Sequence, residues 1–328
     1  MPEGHSVHRI ARQFARNFVG KRIRLSSPQG RFVDGAAMLD GHTMTDARAI
    51  GKQMFLEFDN GLWLRVHLGL YGAWDFAGDI QANGTDAAIR NRRRRRPVAD
   101  AVTLDLAGED SLRSIGAPRL TRLRMAEDDK VSVGSVGAVG FPPEPIGQVR
   151  VRLLADDVVA DLRGPTACVV LDLAEVQVAM DRLGPDPMLD DSSAAEDRFA
   201  LVVRKKPTPI GRLLMDQLVV SGIGNVYRAE LLFRAGLNPH APGKSLSDEQ
   251  ARALWRDWAH LLKIGVATGQ MLTRDGLDDK AHGRALRRRV DRHWVYKREG
   301  LPCRVCGTHI ALEEMAARKL YWCPKCQA

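Results

Sequence analysis

Apolar residues recur at Val7, Ile10, Ala11, Phe14 and Phe18, with Arg9, Arg12 and Arg16 set on the other face. That spacing follows the 3.6-residue period of an amphipathic helix, and Gly20 is placed to end it. The period then shortens to two. Residues 22–25, 45–50, 53–58 and 62–66 read as short strands, and Asp59-Asn60-Gly61 is a two-residue hairpin-turn signal between the last pair, so antiparallel sheet is predicted. Strand-like runs return at 102–106, 149–154, 158–162 and 167–171, and Leu173, Val176, Met180 and Leu183 predict a short helix after them. Two stretches interrupt the strands: residues 78–100, a basic insertion, and residues 127–147, rich in Gly and Pro; neither has the composition of a core.

Leu183-Gly184-Pro185-Asp186-Pro187, followed by residues 190–195, reads as a linker that closes the first domain. Beyond it the pattern is helical. A run over 210–219 leads into Ser221-Gly222-Ile223-Gly224-Asn225-Val226-Tyr227, helical spacing resumes over 228–234, and Gly236 stops it. Ser247-Asp248-Glu249-Gln250 has the form of a capping box, opening a long helix with Leu254, Trp258, Leu261 and Leu262. Two helices joined by a glycine-rich turn, with Asn225 opening the second, suggest backbone amides and a side-chain amide aimed at an anion.

With 328 residues and 45% hydrophobic positions, the chain can form two or three domains of ordinary globular composition. No apolar run reaches the roughly 18–20 residues of a spanning helix, and the start lacks a signal-peptide core, so an intracellular protein without a membrane partner is expected. The net charge of +9 rests on clusters at 90–96, 204–206 and 284–289, which makes nucleic acid the leading class of partner without locating a site.

Only Cys168 stands apart from the other cysteines; Cys303, Cys306, Cys323 and Cys326 form two Cys-x-x-Cys pairs that enclose 16 residues. Each pair can fold as a tight knuckle, and four thiolates make a closed tetrahedral site, so one structural Zn2+ is expected and a disulfide framework is not. Residues 315–321, between the knuckles, read as a hairpin with Arg318 near its tip.

The start of the chain carries chemistry of another kind. Met1 is expected to be removed because the next residue is small, which leaves Pro2 as a free secondary amine beside Glu3. An α-amino group titrates near pH 8, roughly, so a neutral, nucleophilic fraction exists at physiological pH. The same dipeptide also suits a plain helix start. Lys52 lies where a loop enters a strand, and Leu70 and Tyr71 sit between glycines in a loop where apolar residues can pack in a core or wedge into a base stack.

Met1-Pro2-Glu3-Gly4, Gly222-Ile223-Gly224-Asn225-Val226-Tyr227-Arg228-Ala229-Glu230 and the ribbon ending Tyr321-Trp322-Cys323-Pro324-Lys325-Cys326-Gln327 together resemble the formamidopyrimidine-DNA glycosylase and endonuclease VIII family of base-excision repair enzymes. The segment Leu183 to Pro187 fits the same resemblance, which covers the chain apart from its insertions. It implies that Pro2 attacks C1′ of a damaged nucleoside and that Glu3 is the acid and base assisting opening of the sugar ring. Lys52 matches the family's hairpin lysine beside the reacting sugar. Asn225 and Arg318 match the pair that grips phosphates around the flipped nucleotide, and Leu70 and Tyr71 the residues that fill the vacated space. Tyr321-Trp322 is closer to the endonuclease VIII branch. Where the family usually has Pro-Glu after Gly4, this chain has His5-Ser6.

The expectation is therefore an α+β multidomain protein. An N-terminal antiparallel β-sandwich with flanking helices spans 1–187, with the basic insertion near 78–100; a helix-two-turns-helix domain spans 188–298, and a zinc ribbon 299–328. The implied function is that of a bifunctional DNA glycosylase and abasic-site lyase, acting as a monomer on damaged DNA, duplex or single-stranded. Oxidised pyrimidines are the favoured lesions. The alternatives are the same chemistry on oxidised purines, and a zinc-ribbon nucleic-acid-binding protein without catalysis.

Overall fold

The computed structural model describes residues 2–81, 111–117 and 140–328. Met1, the arginine run at 90–96, the strand expected at 102–106 and most of the stretch 127–147 lie outside the described residues. The chain divides into two compact units. One holds Pro2, Ser6–Met180 and Ala267–Gly269; the other holds Glu3–His5, Asp181–Val266 and Gln270–Ala328.

In the first unit, α1 (Gly4–Asn17) buries the predicted stripe of Val7, Ile10, Ala11 and Phe14, and Gly20 follows with φ +83°. Arg9 departs from the expected polar face: it is buried, and its guanidinium donates to Ser111 O at 3.4 Å. The elements that follow are β1 (Arg22–Ser26), α2 (Val33–Leu39), β2 (His42–Ile50), β3 (Gln53–Phe58), β4 (Trp63–His67), β5 (Ala73–Gly78), β6 (Ser114–Gly116), β7 (Val149–Leu154), β8 (Val158–Arg163), β9 (Ala167–Leu171) and α3 (Leu173–Asp181). All strand pairs are antiparallel, in the order β6-β5-β8-β7-β1-β2-β3-β4-β9. β1 serves both halves of that order. Its first residues, Arg22 and Ile23, pair with β2, while Arg24 to Ser26 pair with β7. Both halves contribute to one core, in which Leu56 and Leu64 meet Trp74, Val151 and Leu162. Phe14 from α1 meets Trp74 edge-on, with ring centroids 4.8 Å apart. On the outer face, Val176 of α3 packs with Phe55 and Trp63.

The turn at Asp59-Asn60-Gly61 forms as a three-residue loop, not a two-residue one. Gly61 N donates to Phe58 O at 2.9 Å and Gly61 alone has positive φ, +79°, so it carries the left-handed position of a bulged hairpin. α2 and β5 add to the elements expected; in β5 the large residues Trp74 and Phe76 alternate inward.

The second unit is helical: α4 (Ser193–Arg204), α5 (Ile210–Leu213), α6 (Asn225–Arg234), α7 (Asp248–Thr268) and α8 (Asp279–Arg287), then the hairpin β10 (Ala311–Met315) and β11 (Arg318–Trp322). α4 begins inside the expected linker, because Ser192 acts as its N-cap and accepts from Ala195 N at 3.3 Å. α5 ends well before the expected residue 219. Asp216 accepts Leu218 N and Gln217 accepts Gly222 N, both at 3.0 Å, and such local side-chain bonds compete with helix continuation. The capping box opens α7 as predicted: Ser247 N donates to Gln250 Oε1 at 2.9 Å and Gln250 N to Ser247 Oγ at 3.1 Å.

α6 is the centre of this unit, buried from Asn225 to Phe233. Tyr227 lies edge-on to Trp258 of α7 at 4.8 Å between centroids. Cys303, Ile310, Tyr321 and Cys323 of the ribbon belong to the same apolar cluster as α6 and α7. Among the described residues, no helix is long and apolar enough to cross a membrane.

Trp74 is fully buried, yet its Nε1 has no hydrogen-bond partner among the described residues. Trp74→Ala should destabilise the protein by about 3–5 kcal/mol through the cavity it leaves. Trp74→Phe should cost far less, because it also removes an unsatisfied buried N–H. Denaturant midpoints of the two variants check this.

Candidate active site and metal centre

The turn before α6 brings glycines against the chain's own start. Gly4 N donates to Gly222 O at 2.9 Å, and a Cβ on Gly4 would lie 2.9 Å from Gly222 Cα, so the two backbones meet where no side chain fits. Glu3 is fully buried. Its Oε1 accepts Val226 N at 2.8 Å, and its Oε2 accepts Gly224 N at 3.0 Å and Tyr227 N at 3.3 Å. A helix N-terminus offers unpaired N–H groups and positive potential, and Glu3 takes that position. The amides predicted to face an anion thus face one from this chain. A Cβ on Gly224 would stand 2.4 Å from the Glu3 carboxyl carbon, which explains the second glycine of Gly222-Ile223-Gly224. His5, at the departure from the family pattern, is buried with its ring edge-on to Tyr227 at 5.7 Å, in space that Gly265 leaves open.

Asn225 and Arg318 come together through the ribbon hairpin. Asn225 Nδ2 donates to Lys319 O at 2.9 Å, next in sequence to the exposed Arg318. Arg228, one turn further along α6, takes no role from the sequence pattern alone. Its guanidinium is fully buried and donates to Met315 O at 3.3 Å, to Lys319 O at 3.1 Å and to Asn225 Oδ1. Burial pushes its pKa down to about 10; the Glu3 carboxylate opposes that shift and the neighbouring Arg318 charge adds to it.

Tyr296 stands beside the same group. Burial, with Glu3 nearby, pushes its phenol up to about 12. Its segment is fixed by Glu230 of α6, a buried carboxylate that accepts Trp294 N at 2.7 Å, Val295 N at 2.9 Å and Tyr296 N at 2.8 Å. The basic run at 284–289 lies at the end of α8, whose last carbonyls, Ala285 O and Leu286 O, accept from the buried Arg292 at 2.9 and 3.0 Å.

In the first unit, Pro2 is buried and directly precedes Glu3. Lys52 lies in the two-residue turn between β2 and β3, directly before the first residue of the β3–β4 hairpin and after Gly51 with φ +57°. Gln53 pairs with His67, so Lys52 and the loop carrying Leu70 and Tyr71 share one end of the β3–β4 pair. Burial, and then the charges of Lys52 and Arg65, hold the His67 imidazole below its usual pKa. In that loop Leu68 is buried, Leu70 half-buried and Tyr71 exposed.

The Sγ atoms of Cys303, Cys306, Cys323 and Cys326 lie within 4.8 Å of one another, with Cys303–Cys326 at 3.9 Å and Cys306–Cys323 at 3.4 Å. Thiolates about 2.3 Å from a tetrahedral ion would stand about 3.8 Å apart, so the donor set fits a structural metal. Val305 N and Cys326 N each approach the first sulfur of their own pair, Cys303 and Cys323, at 3.5 Å, as in knuckles that hold thiolates.

Three family models match the chain: the formamidopyrimidine-DNA glycosylase N-terminal domain over 1–123, the formamidopyrimidine-DNA glycosylase H2TH domain over 183–276, and the zinc finger found in FPG and IleRS over 300–328. Endonuclease 8 1 of Mycobacterium tuberculosis (strain H37Rv) is 37% identical over 329 residues, covering 100% of both chains. Formamidopyrimidine-DNA glycosylase of Acidovorax sp. (strain JS42) is 29% identical over 334 residues, covering 100% of this chain and 99% of the relative. Among solved structures, the MutM (Fpg) protein of Thermus thermophilus superposes with a TM-score of 0.63 at 23% identity, covering 99% of this chain and 98% of that one. Lactococcus lactis Fpg in complex with DNA gives a TM-score of 0.68 at 18% identity, covering 99% of each. These structures share the fold described above, and the full-length match at 37% identity goes beyond fold: the chain belongs to the formamidopyrimidine-DNA glycosylase and endonuclease VIII family.

Proposed function

We propose that the protein is a DNA glycosylase of base-excision repair that also cleaves abasic sites, with the Pro2 nitrogen as its nucleophile. The observation that carries this reading is the seat of Glu3: a buried carboxylate, held by three backbone N–H groups, in the residue directly after the amine. Imine chemistry needs both groups. The amine attacks C1′ and the bond from C1′ to the base breaks; the nitrogen passes its proton to the Glu3 carboxylate, which delivers it to the ring oxygen as the sugar opens to the iminium. The iminium acidifies the C2′ proton; its loss expels the 3′-phosphate, and a second elimination expels the 5′-phosphate.

In this reading Lys52 stands by the reacting sugar, Asn225 and Arg318 hold backbone phosphates, and Leu70 and Tyr71 occupy the space of the flipped nucleotide. The exposure of Tyr71, 42%, supports a role outside the core. Residues 1–187 act as the catalytic sandwich, 188–298 as the helix-two-turns-helix part and 299–328 as the ribbon, with one structural Zn2+ on the four cysteines. DNA as substrate implies an intracellular site of action. Oxidised pyrimidines are the proposed lesions, a reading supported by the higher full-length identity to the endonuclease-named relative. The same chemistry on oxidised purines is the second reading, and excision over a panel of lesions in duplex and single strands separates them.

Incubation with abasic-site DNA and borohydride should give a covalent adduct that peptide mapping assigns to Pro2. A homogeneous protein whose N-terminus is blocked should bind the same DNA but neither trap nor cut it, since an amide nitrogen cannot attack. Cleavage by the blocked protein would remove Pro2 from this role.

Gly224→Ala should lower the melting temperature by several degrees, because displacing the Glu3 carboxyl leaves a buried acid and three backbone N–H groups without partners, and should lower base excision at least 100-fold in the protein that stays folded. Full activity of this variant would separate the Glu3 seat from the reaction.

Zinc chelation, or Cys303→Ser, should abolish DNA binding and loosen the α6–α7 core, because ribbon residues belong to that core, while the sandwich unit keeps its own. Near-UV circular dichroism and limited proteolysis of the chelated protein test that difference.

A further inference from the structure

Among the described residues no carboxylate pairs directly with Arg228, although it is a charged side chain with no exposed surface. Burying such a charge is costly unless it is met by directed bonds, so the partners it holds identify what it is for. Those partners are Asn225 and the two strand ends of the ribbon hairpin.

An arginine only donates hydrogen bonds, and a backbone carbonyl only accepts them. Asn225 lies between one of each. Its Oδ1 must therefore face Arg228 and its Nδ2 must face Lys319 O, an orientation fixed by the chemistry of both neighbours. One Nδ2 hydrogen is used on Lys319 O, and the Tyr296 hydroxyl lies within hydrogen-bonding reach of the same amide. At the hairpin, Ala316 and Ala317 both have φ +54°, a left-handed conformation that residues with a Cβ rarely adopt. Arg228 binds the carbonyl of Met315 before that turn and of Lys319 after it, so the backbone that carries Arg318 is held on both sides.

We propose that Arg228 is a positioning residue that presets the phosphate grip, fixing the Asn225 amide and the Arg318 hairpin in one geometry before DNA arrives. This rests on the reading that Asn225 and Arg318 hold phosphates. Arg228 itself touches no substrate; it acts through those two side chains. A lysine here could meet one of the carbonyls but cannot span them with a planar fork.

The test measures binding of full-length, zinc-loaded protein to an abasic-analogue duplex across salt concentrations, for wild type, Arg228→Gln, Arg228→Lys, Arg318→Ala and the double variant Arg228→Gln/Arg318→Ala. Zinc content and melting temperature are recorded for each. Arg318→Ala should reduce the salt slope by about 1, the value of one phosphate contact. Arg228→Gln should keep its zinc, weaken binding about 10- to 100-fold and reduce the slope by about 1, the share of Arg318, since the neutral Asn225 amide releases no counterion, with Arg228→Lys intermediate. Adding Arg318→Ala to Arg228→Gln should then cost less than about twofold, because the grip is already lost. In borohydride trapping, the loss should fall mainly on the DNA concentration for half-maximal adduct and much less on the maximal adduct.

Wild-type affinity and slope in Arg228→Gln, or a full Arg318→Ala penalty in its background, would overturn the proposal. Loss of zinc or of folding in both Arg228 variants would do so too, by making the residue part of the fold alone. An unchanged slope in Arg318→Ala would instead defeat the phosphate-grip reading itself, whatever Arg228 does.

Discussion

The Glu3 carboxylate takes up the backbone N–H groups of Gly224, Val226 and Tyr227 that α6 would otherwise leave without partners. Hydrogen bonds to a charged acceptor contribute roughly 1.5–3 kcal/mol each when well formed, so an anion in this position outweighs a neutral cap. The geometry explains the two glycines before the helix, one meeting Gly4 backbone to backbone and the other leaving room for the carboxyl group. It also orients α6, because a helix whose first turn is tied to Glu3 presents its later turns in fixed directions.

Those later turns hold two further segments of the helical unit. Arg228 grips the ribbon hairpin and Glu230 grips the 294–296 segment that leads into the ribbon, so one helix of 10 residues carries three sets of long-range polar bonds through an apolar core. Buried polar groups of this kind are stable only when each has its partners, and together they specify one arrangement of the surrounding chain. The four-cysteine site, where a metal would add a further constraint, belongs to the same core: Cys303 and Cys323 are buried with α6 and α7.

Much of this was legible in the sequence. The α1 stripe, the capping box at Ser247, most of the strands and the four-cysteine site follow from periodicity or spacing, which reflect local physics. The seat of Glu3 was partly legible: Gly222-Ile223-Gly224-Asn225 predicted amides aimed at an anion, but nothing in the pattern said that the anion lies at residue 3 of the same chain. Arg228 was not legible, because an arginine after Asn225-Val226-Tyr227 looks like any polar face of a helix until the hairpin that covers it is in view. β5 and α2 were missed where short elements border glycine-rich or polar stretches, and the α5 boundary was misjudged because Asp216 and Gln217 bond locally.

Glu3 and Gly224 are separated by 221 residues, and Tyr227 by 224. A ribosome adds roughly 5–20 residues per second, so the seat for the third residue does not exist until on the order of ten seconds or more after that residue has been made. During that interval the nascent chain can fold the sandwich core locally, but its first residues have no carboxylate seat to occupy. Glu3 is thus made long before its final surroundings exist, and a prematurely terminated chain lacking the residues beyond 220 offers its carboxylate no such seat.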